Sequence, residues 1–500
     1  MKFNFYYDET EHSRVINYST ITGATYYDNF ISAIIGWDSN KESAIEEKYL
    51  KFEEKYQERK RDGELKSETF KAKRFKYGFA SFNKQNVELL DDYLSVFNDN
   101  FYIYICLKSK LEYIIFQLFK DYKNSLMFDM DALKYSIVKV LITYRPKEVL
   151  RSLYSTPKKF VDSLIDFFTD RIVYNKKNLS LKILENEALE NILLMLKDVE
   201  TPSSIEWDYK MSFIGFKKYL QNKRISDYSL IIDKEGEVGE KSKTLIAAID
   251  SKLDNCSEGD SKVYFGIRVA DMLVGVMGKL MKSLFFSLHR EENNQNVTQN
   301  LLDIKWFKLS EEQLGLYKKL YKIVCCINED WYKMNFDNYA DDLICFIALL
   351  EFFNHYESVD QLQADLESLP KLCNAFMCEK LKEHFAKMRI KVPVEPIITD
   401  NDEFFLNQKG AKVYFDTKRQ PTLCLKDGTN KFRVLSVGTS NLHNPMITIE
   451  NDGKAECYKL PMQLSDWAMT LTGYSMMGEN LLPADIVFTK ENDNYFADVL

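Results

Sequence analysis

Cysteine and histidine patterns that would indicate a bound metal or a disulfide framework are missing from this chain. The nine cysteines are an odd number, and no two of them are spaced as C-x-x-C. The five histidines show no spacing typical of metal ligands. Cys325 and Cys373 lie in apolar stretches of helical character, which favours buried thiols. A zinc site and a disulfide-stabilised secreted protein are therefore not expected. The cysteine pattern instead predicts a protein of a reducing compartment.

Long apolar runs and a secretion signal are missing as well. No basic segment followed by an apolar stretch opens the sequence. The most apolar stretch, residues 269–288, is interrupted by Asp271, Lys279 and Lys282, so a membrane-spanning helix is not expected. The sequence therefore predicts a cytoplasmic protein without a membrane partner.

An excess of basic residues is also lacking. The net charge of −8 argues against a protein whose whole surface contacts nucleic acid. A local basic groove remains compatible with this net charge, because the attraction of a polyanion depends on the local potential rather than on the total.

The pattern of the first 300 residues predicts an α/β fold. Five hundred residues exceed what one hydrophobic core normally organises, so two or three domains are expected. Strand patterns occur at residues 2–7, 14–20, 30–37, 101–106, 228–232 and 262–265. Helical patterns occur at 41–61, 85–97, 243–253 and 269–288, with a helical insertion at about 108–205. This succession predicts a mixed sheet with helices packed on it, in a first domain at residues 1–300.

The remaining chain divides into a helical region at 301–390 and a β-rich domain at 391–500. Seven of the ten prolines fall from Pro370 onward, where short alternating runs replace the helical patterns. These runs predict strands at residues 412–415, 422–425, 432–437, 446–450 and 456–460. We expect the β-rich domain to fold separately, and it is a candidate docking site for a protein partner.

Four acidic residues lie far apart in the sequence, three of them at the end or flank of an apolar run. Asp8 and Asp233 each end a predicted strand, and Asp271 lies near the start of an apolar helix. Glu64 follows the first helical pattern and is one residue removed from Lys66. Acids placed in this way cost desolvation free energy unless a positive charge meets them, and divalent cations with oxygen ligands commonly do so. The four acids are therefore candidate ligands of Mg²⁺ or Mn²⁺ in a two-metal site for phosphoryl chemistry.

The order of these motifs resembles a bacterial and phage family of ribonuclease H-like fold, catalogued as domain of unknown function 3800. That family begins with a strand running into Asp-Glu-Ser-Gly and carries Glu-x-Lys after its first helix. It continues with a strand ending in Asp and finishes with Gln-x-Ala-Asp-hydrophobic on a helix. The corresponding stretches here are Asp8-Glu9-Thr10-Glu11, Glu64-Leu65-Lys66, Ile231-Ile232-Asp233 and Arg268-Val269-Ala270-Asp271. The chain departs from the pattern at Thr10-Glu11 and at Arg268, and Arg268 could occupy part of a metal or phosphate site.

The resemblance covers roughly residues 1–290 and implies a catalytic role for these residues. Asp8, Glu64, Asp233 and Asp271 would hold the metal ions. Lys66 would orient the attacking water or neutralise charge on the scissile phosphate. Families of this kind are frequent in mobile-element and anti-phage settings, so the resemblance also implies a defence role.

Each acid also has a purely structural interpretation. Asp8 followed by Glu9 is consistent with a solvated turn, and Glu64 with chance in a charge-rich stretch. Asp271 is consistent with a favourable charge near a helix N-terminus, worth roughly 0.3–1 kcal/mol. Glu9 and Glu235 are second choices as ligands, because Glu9 would point to the opposite strand face from Asp8 and Glu235 lies beyond the strand end.

A basic run follows Lys66 and is a candidate nucleic-acid surface. Its cations are Lys71, Lys73, Arg74 and Lys76, and the interleaved Phe70, Phe75 and Tyr77 could stack on bases. The alternative is a solvated strand face. The stretch from Gly275 to Lys279 does not have the spacing of a phosphate-binding loop and favours close helix packing.

The sequence therefore predicts a Mg²⁺- or Mn²⁺-dependent nuclease that hydrolyses phosphodiester bonds of DNA or RNA. Two other interpretations stay open at this point. The chain could be a non-catalytic interaction protein on a degenerate nuclease fold, or an enzyme that hydrolyses nucleotides rather than polymers. A basic groove beside the four acids would count against the nucleotide enzyme.

Overall fold

The computed structural model of the protein describes residues 2–10, 21, 23, 26–120, 122, 130–153, 155–197, 210–234, 241–289, 300–327, 339–389, 420–439, 445–476, 481–491 and 494–500. The chain forms two compact units, one from the described residues up to Ala386 and one from those that start at Lys387. Each unit combines helices with a sheet, so the protein is of the mixed α/β class.

A mixed sheet organises the first unit. Its described strands are β1 (Phe3–Thr10), β2 (Asn29–Asp38), β4 (Tyr102–Ser109), β5 (Tyr228–Asp233) and β6 (Cys256–Gly259), and a short strand, β3 (Lys76–Phe79), follows β2 in the chain. The spatial order is β4-β2-β1-β5-β6. The strands β4, β2 and β1 pair antiparallel, whereas β5 and β6 run parallel to β1. The N-terminal strand is therefore the centre of the sheet.

Helices make up most of the rest of this unit. Those described before residue 390 are α1 (Glu42–Lys55), α2 (Lys84–Leu94), α3 (Lys110–Leu118), α4 (Met130–Tyr144), α5 (Lys147–Ser152), α6 (Pro157–Asn175), α7 (Leu179–Lys197), α8 (Lys210–Asn222), α9 (Lys243–Asp250), α10 (Phe265–Leu288), α11 (Glu311–Tyr321), α12 (Asp341–Asn354), α13 (Val359–Ala364) and α14 (Leu369–Arg389). Side-chain caps begin several of them, including a capping box between Ser310 and Gln313 at α11. None of the described helices is long and apolar enough to cross a lipid bilayer.

Alternation along β1 gives each face of the sheet its own core. Tyr6 packs on the face covered by α10, where its ring lies 6.2 Å from that of Phe265. Tyr7 points to the other face, where its ring lies 5.1 Å from that of Phe213 on α8. Because side chains alternate, Asp8 shares the α10 face with Tyr6.

Glycines allow α10 to lie directly against β1, and the close packing predicted for the stretch from Gly275 to Lys279 is confirmed at Gly278. A Cβ atom at Gly266 would lie 2.2 Å from Cδ2 of Tyr6, and one at Gly278 would lie 2.6 Å from Cγ2 of Thr10. Both distances are shorter than carbon atoms tolerate, so only glycine permits this approach.

The helical region after residue 300 belongs to the first unit. The backbone N–H of Phe79 donates to the hydroxyl of Tyr317 on α11 at 3.1 Å, and the two rings are 4.5 Å apart. This region therefore shares the core of the sheet domain up to Ala386.

Most predicted strands of the first unit are confirmed, and one is wrong. The patterns at 2–7, 30–37, 101–106 and 228–232 correspond to β1, β2, β4 and β5, while 14–20 lies outside the described residues. The prediction at 262–265 is wrong, because β6 ends at Gly259 and Asp260 then closes a turn. The Asp260 carboxylate accepts the N–H of Lys262 at 2.9 Å, and its carbonyl accepts that of Tyr264 at 2.9 Å.

The second unit has an antiparallel sheet with one described helix. Its elements are β7 (Gly428–Thr439), β8 (Pro445–Asn451), β9 (Lys454–Lys459), α15 (Ser465–Met476), β10 (Ala484–Glu491) and β11 (Asn494–Val499), with the strand order β11-β10-β7-β8-β9. The predicted strands at 432–437, 446–450 and 456–460 are confirmed. The prediction at 422–425 is wrong, because only Thr422 forms a single bridge, to Lys459. The prediction at 412–415 lies outside the described residues.

Candidate active site

Two of the predicted acids lie near the carboxyl ends of neighbouring parallel strands. Asp233 is the last residue of β5, whereas the prediction that Asp8 ends its strand is wrong, because β1 continues for two more residues to Thr10. In the register of β1 with β5, Tyr7 lies beside Ile232, so the next residues along each strand are Asp8 and Asp233. Parallel strands present their carboxyl ends at the same edge of a sheet. The fold therefore brings together two carboxylates that are far apart in the sequence.

Asp271 comes to this edge from the second turn of α10. Ser67 holds the carboxylate with two hydrogen bonds, from its backbone N–H to Oδ2 at 2.7 Å and from its hydroxyl to Oδ1 at 2.9 Å. A Cβ atom at Gly275 would lie 2.2 Å from the Ser67 side chain. The glycine one turn after Asp271 therefore lets Ser67 reach it, a contact that no sequence pattern had indicated.

Glu64 is presented by a tight turn. Arg61 and Glu64 exchange backbone hydrogen bonds of 2.9 Å, and both Asp62 (φ 50°) and Gly63 (φ 88°) have left-handed backbones between them. The Glu64 side chain is buried, and its Oε2 lies 3.1 Å from Nζ of Lys66. Its Oε1 is buried without a hydrogen-bond partner. An unpartnered buried carboxylate oxygen is costly, and a bound cation would relieve that cost.

The carboxylates raise one another's pKa values. Burial raises the pKa of Asp8 well above its usual range, and the carboxylates of Asp271 and Asp233 raise it further. The backbone N–H of Glu9, 2.7 Å from Oδ1 of Asp8, offsets only part of this shift. The site thus holds more negative charge than its own hydrogen bonds stabilise.

The other two aspartates differ in the interactions that oppose the rise in their pKa values. Burial raises the pKa of Asp233 to about 6, although the Lys66 ammonium opposes the shift. Burial also raises the pKa of Asp271, and the two hydrogen bonds from Ser67 oppose it. Burial lowers the pKa of Lys66, but its pair with Glu64 and the nearby Asp233 and Asp271 outweigh that effect and raise it. Lys66 is thus a fixed positive charge within the acidic cluster.

The donor set suits a hard divalent cation. Asp8, Glu64, Asp233 and Asp271 offer only oxygen ligands, which Mg²⁺ and Mn²⁺ prefer. Within the part of the chain that the structure describes, no group of three or more Asp, Glu, His or Cys side chains is placed so that it could hold a metal ion as it stands. The raised pKa values and the unpartnered Oε1 of Glu64 nevertheless fit a site that a cation would draw together.

Three further sequence interpretations have different outcomes. Arg268 is buried and forms a bidentate ion pair with Glu53, at 2.8 and 3.1 Å, so the prediction that it occupies part of a metal or phosphate site is wrong. Glu9 does lie on the strand face opposite Asp8, where it accepts a hydrogen bond from Tyr7. Glu235 lies outside the described residues.

The basic run has exposed cations but buried rings. Lys71, Lys73, Arg74 and Lys76 are all exposed, as a nucleic-acid surface requires. Phe70 and Phe75 are buried in the core of the unit, so the prediction that they stack on bases is wrong. Two short 3₁₀ turns, Ser67–Thr69 and Ala72–Phe75, rather than a strand, turn the rings inward.

The raised pKa of Asp233 predicts how the stability of the metal-free protein depends on pH. The folded protein binds a proton at Asp233 more tightly (pKa about 6) than the unfolded chain does (3.8), so stability falls as pH rises across that window. At about 1.4 kcal/mol per pKa unit, the loss attributable to Asp233 is roughly 3 kcal/mol.

Urea unfolding in EDTA at about pH 4.5 and about pH 7.5 measures this, with Asp233→Asn as the comparison. The variant should gain stability over wild type at both pH values, and the gain should be roughly 2 kcal/mol larger at the higher pH. An equal difference at both pH values would contradict the prediction.

No protein-family model, curated protein or solved structure matches this chain. Its function is therefore inferred from the geometry and chemistry of the site.

Proposed function

We propose that the protein is a divalent-metal-dependent nuclease of ribonuclease H-like fold that hydrolyses phosphodiester bonds of nucleic acid. The observation that carries this proposal is the meeting of Asp8, Asp233 and Asp271 at one edge of the sheet, with pKa values that burial and mutual repulsion raise. Structural carboxylates are usually paired with cations, whereas here the ammonium groups of Lys66 and Lys279 offset only part of the rise in pKa. Clustered perturbed carboxylates are typical of functional sites.

The topology supports the fold assignment. A three-stranded antiparallel portion, β4-β2-β1, is extended by two strands parallel to β1, and the acids come from β1, from the adjacent β5 and from the helix α10. This is the arrangement that the sequence resemblance implies. The resemblance likewise supports a role in anti-phage defence. We further propose that the protein acts in the cytoplasm and that the second unit is a docking module for a protein partner.

Each residue of the site has a role in the proposed reaction. Asp8, Glu64, Asp233 and Asp271 would hold Mg²⁺ or Mn²⁺, which supplies charge stabilisation and activation of water when bound. Ser67 fixes the orientation of Asp271 through its two hydrogen bonds. Lys66, which is less than half exposed, presents its ammonium group where a scissile phosphate would approach the acids.

The exposed basic run favours a polymer substrate over a free nucleotide. Lys71, Lys73 and Arg74 begin five residues after Lys66 in the chain and are exposed. A row of cations that extends away from the acids matches the successive phosphates of a polynucleotide backbone. An enzyme that binds a free nucleotide does not need such a row.

The proposal is tested by adding metal to the purified wild-type protein. Mg²⁺ or Mn²⁺ should raise the melting temperature, because a ligand that binds only the folded state at a hundredfold excess over its Kd stabilises by about 2.7 kcal/mol. The same metals, and not EDTA, should support cleavage of labelled single-stranded DNA, duplex DNA, RNA or an RNA–DNA hybrid. A melting temperature indifferent to both metals, with every substrate intact, would instead identify a non-catalytic scaffold.

A further inference from the structure

The segment that follows Lys66 runs along α10 away from the acids. At its start, Ser67 contacts Asp271 through the hydrogen bonds of 2.7 and 2.9 Å. At its end, the hydroxyl of Ser283 donates to the backbone carbonyl oxygens of Phe75 and Lys76, the latter at 3.2 Å. Hydrogen bonds therefore hold the segment from Ser67 to Lys76 against α10 at both of its ends.

The two points of attachment define a direction and a length. Asp271 and Ser283 are twelve residues apart on one continuous α-helix, which rises 1.5 Å per residue, so the segment covers about 18 Å. A stacked nucleic-acid strand advances about 3.4 Å per nucleotide, so this length corresponds to about five nucleotides.

Positive charge dominates this segment. Lys71, Lys73, Arg74 and Lys76 are exposed, and none of them forms an ion pair with any residue that the structure describes. Its single exposed acid, Glu68, lies near the start and is 3.8 Å from Arg61. We call the surface formed by Lys71, Lys73, Arg74 and Lys76 the basic strip.

Buried aromatic side chains hold the backbone of the basic strip in place. Phe70 and Phe75 are buried, with rings 6.4 Å apart, and Phe75 packs against Phe79 and Phe82. At the far end, the half-buried ring of Tyr77 has the ammonium groups of Lys76 and Lys305 at 5.3 and 5.1 Å. The backbone of the strip is therefore held by a packed core, while its cations remain in solvent.

We propose that the basic strip binds the phosphates of a polynucleotide strand whose scissile bond lies at the acidic cluster. This inference rests on the proposed nuclease function and defines its substrate as a polymer that extends about five nucleotides to one side of the cleaved bond. Recognition is electrostatic and independent of base sequence, because the strip offers phosphate-binding cations and its two phenylalanine rings are buried.

The test measures binding and cleavage separately with the full-length protein. Binding of fluorescent single-stranded oligonucleotides of about 2 to 12 nucleotides is measured in EDTA, where no cleavage occurs. Affinity should rise with length until the strip is covered and then level off. The charge-reversed variant Lys73→Glu with Arg74→Glu should bind at least about tenfold more weakly, and the slope of log K against log[salt] should become shallower by about 1.4.

A matched control has the same change in charge elsewhere on the first unit. Lys158 and Lys159 are exposed on α6, so Lys158→Glu with Lys159→Glu alters the net charge equally and should leave both the affinity and the salt slope close to wild type. The neutral variant Lys73→Gln with Arg74→Gln should fall between wild type and the reversed variant. Melting temperatures of all variants confirm that each is folded.

The outcomes for the strip and for the nuclease are distinguishable. Wild-type affinity and salt slope in the charge-reversed variant would overturn the proposal that the basic strip binds phosphates, even if metal-dependent cleavage persists. Strip-dependent binding by a protein that cleaves nothing with Mg²⁺ or Mn²⁺ would support the strip and overturn the nuclease. Equal affinity for dinucleotides and longer strands would overturn the polymer assignment.

Discussion

Asparagine at Asp8 or at Asp271 is expected to abolish metal-dependent cleavage and to remove the stabilisation by Mg²⁺ or Mn²⁺. Burial holds the pKa of both carboxylates high, and repulsion by neighbouring carboxylates adds to the rise at Asp8, so a bound cation would relieve an unfavourable charge at each ligand. The lost stabilisation should be about 2.7 kcal/mol at a metal concentration a hundredfold above Kd. Without metal, each variant should be as stable as wild type at neutral pH or more so, because one repelling charge is gone.

A neighbouring exposed acid provides the control. Glu68 lies one residue after Ser67 and is solvent-exposed, so Glu68→Gln removes a charge close to the site without removing a proposed ligand. Its melting temperature should still rise with metal, and its cleavage rate should stay close to wild type. Retained cleavage in Asp8→Asn and Asp271→Asn would show that the cluster is not the catalytic centre.

Separating Arg268 from Glu53 is expected to have the largest effect on stability. Both side chains are buried, and the guanidinium donates to both carboxylate oxygens of Glu53 and to the carbonyl of Ser261. Removal of one partner of a buried ion pair leaves an uncompensated charge and typically costs 3–5 kcal/mol. Arg268→Met should therefore lower the free energy of unfolding by about that amount. The ammonium group of Lys60, 3.6 Å from the Glu53 carboxylate, partly compensates the remaining charge and reduces the loss.

A double-mutant cycle separates the ion pair from the general effects of substitution. The second single variant is Glu53→Gln, and the double variant combines it with Arg268→Met. Because the double variant leaves no buried charge, it should be considerably more stable than the sum of the two single losses predicts. Additive losses in urea unfolding would mean that the two side chains do not depend on each other.

The part of the site that the sequence predicts is the part set by local patterns. Asp8 and Asp233 follow apolar runs that read as strands, and parallel strands bring their carboxyl ends together by their own geometry. The acid on α10 is visible in the same way, because an apolar run with helical spacing surrounds Asp271. Motif order and periodicity therefore predict the positions of these three acids on their strands and helix without any knowledge of tertiary contacts.

The contacts that the sequence does not reveal depend on partners far along the chain. The sequence leaves Arg268 available to a ligand, whereas the fold places Glu53, 215 positions earlier, against it. Phe70 and Phe75 alternate with cations as on a binding surface, and only the two 3₁₀ turns bury them. The role of Ser67 requires the absence of a side chain at Gly275, which no local pattern signals.

The central position of β1 has a consequence for the order in which the chain is made. β1 leaves the ribosome long before its parallel partner β5, which begins at Tyr228, and its covering helix α10, which ends at Leu288. Contacts of such high sequence separation form late, because a long loop must close before they are made. A nascent chain that has not yet passed residue 271 lacks part of the carboxylate set. The proposed nuclease would therefore be inert while its first domain is being synthesised beside the messenger RNA that encodes it.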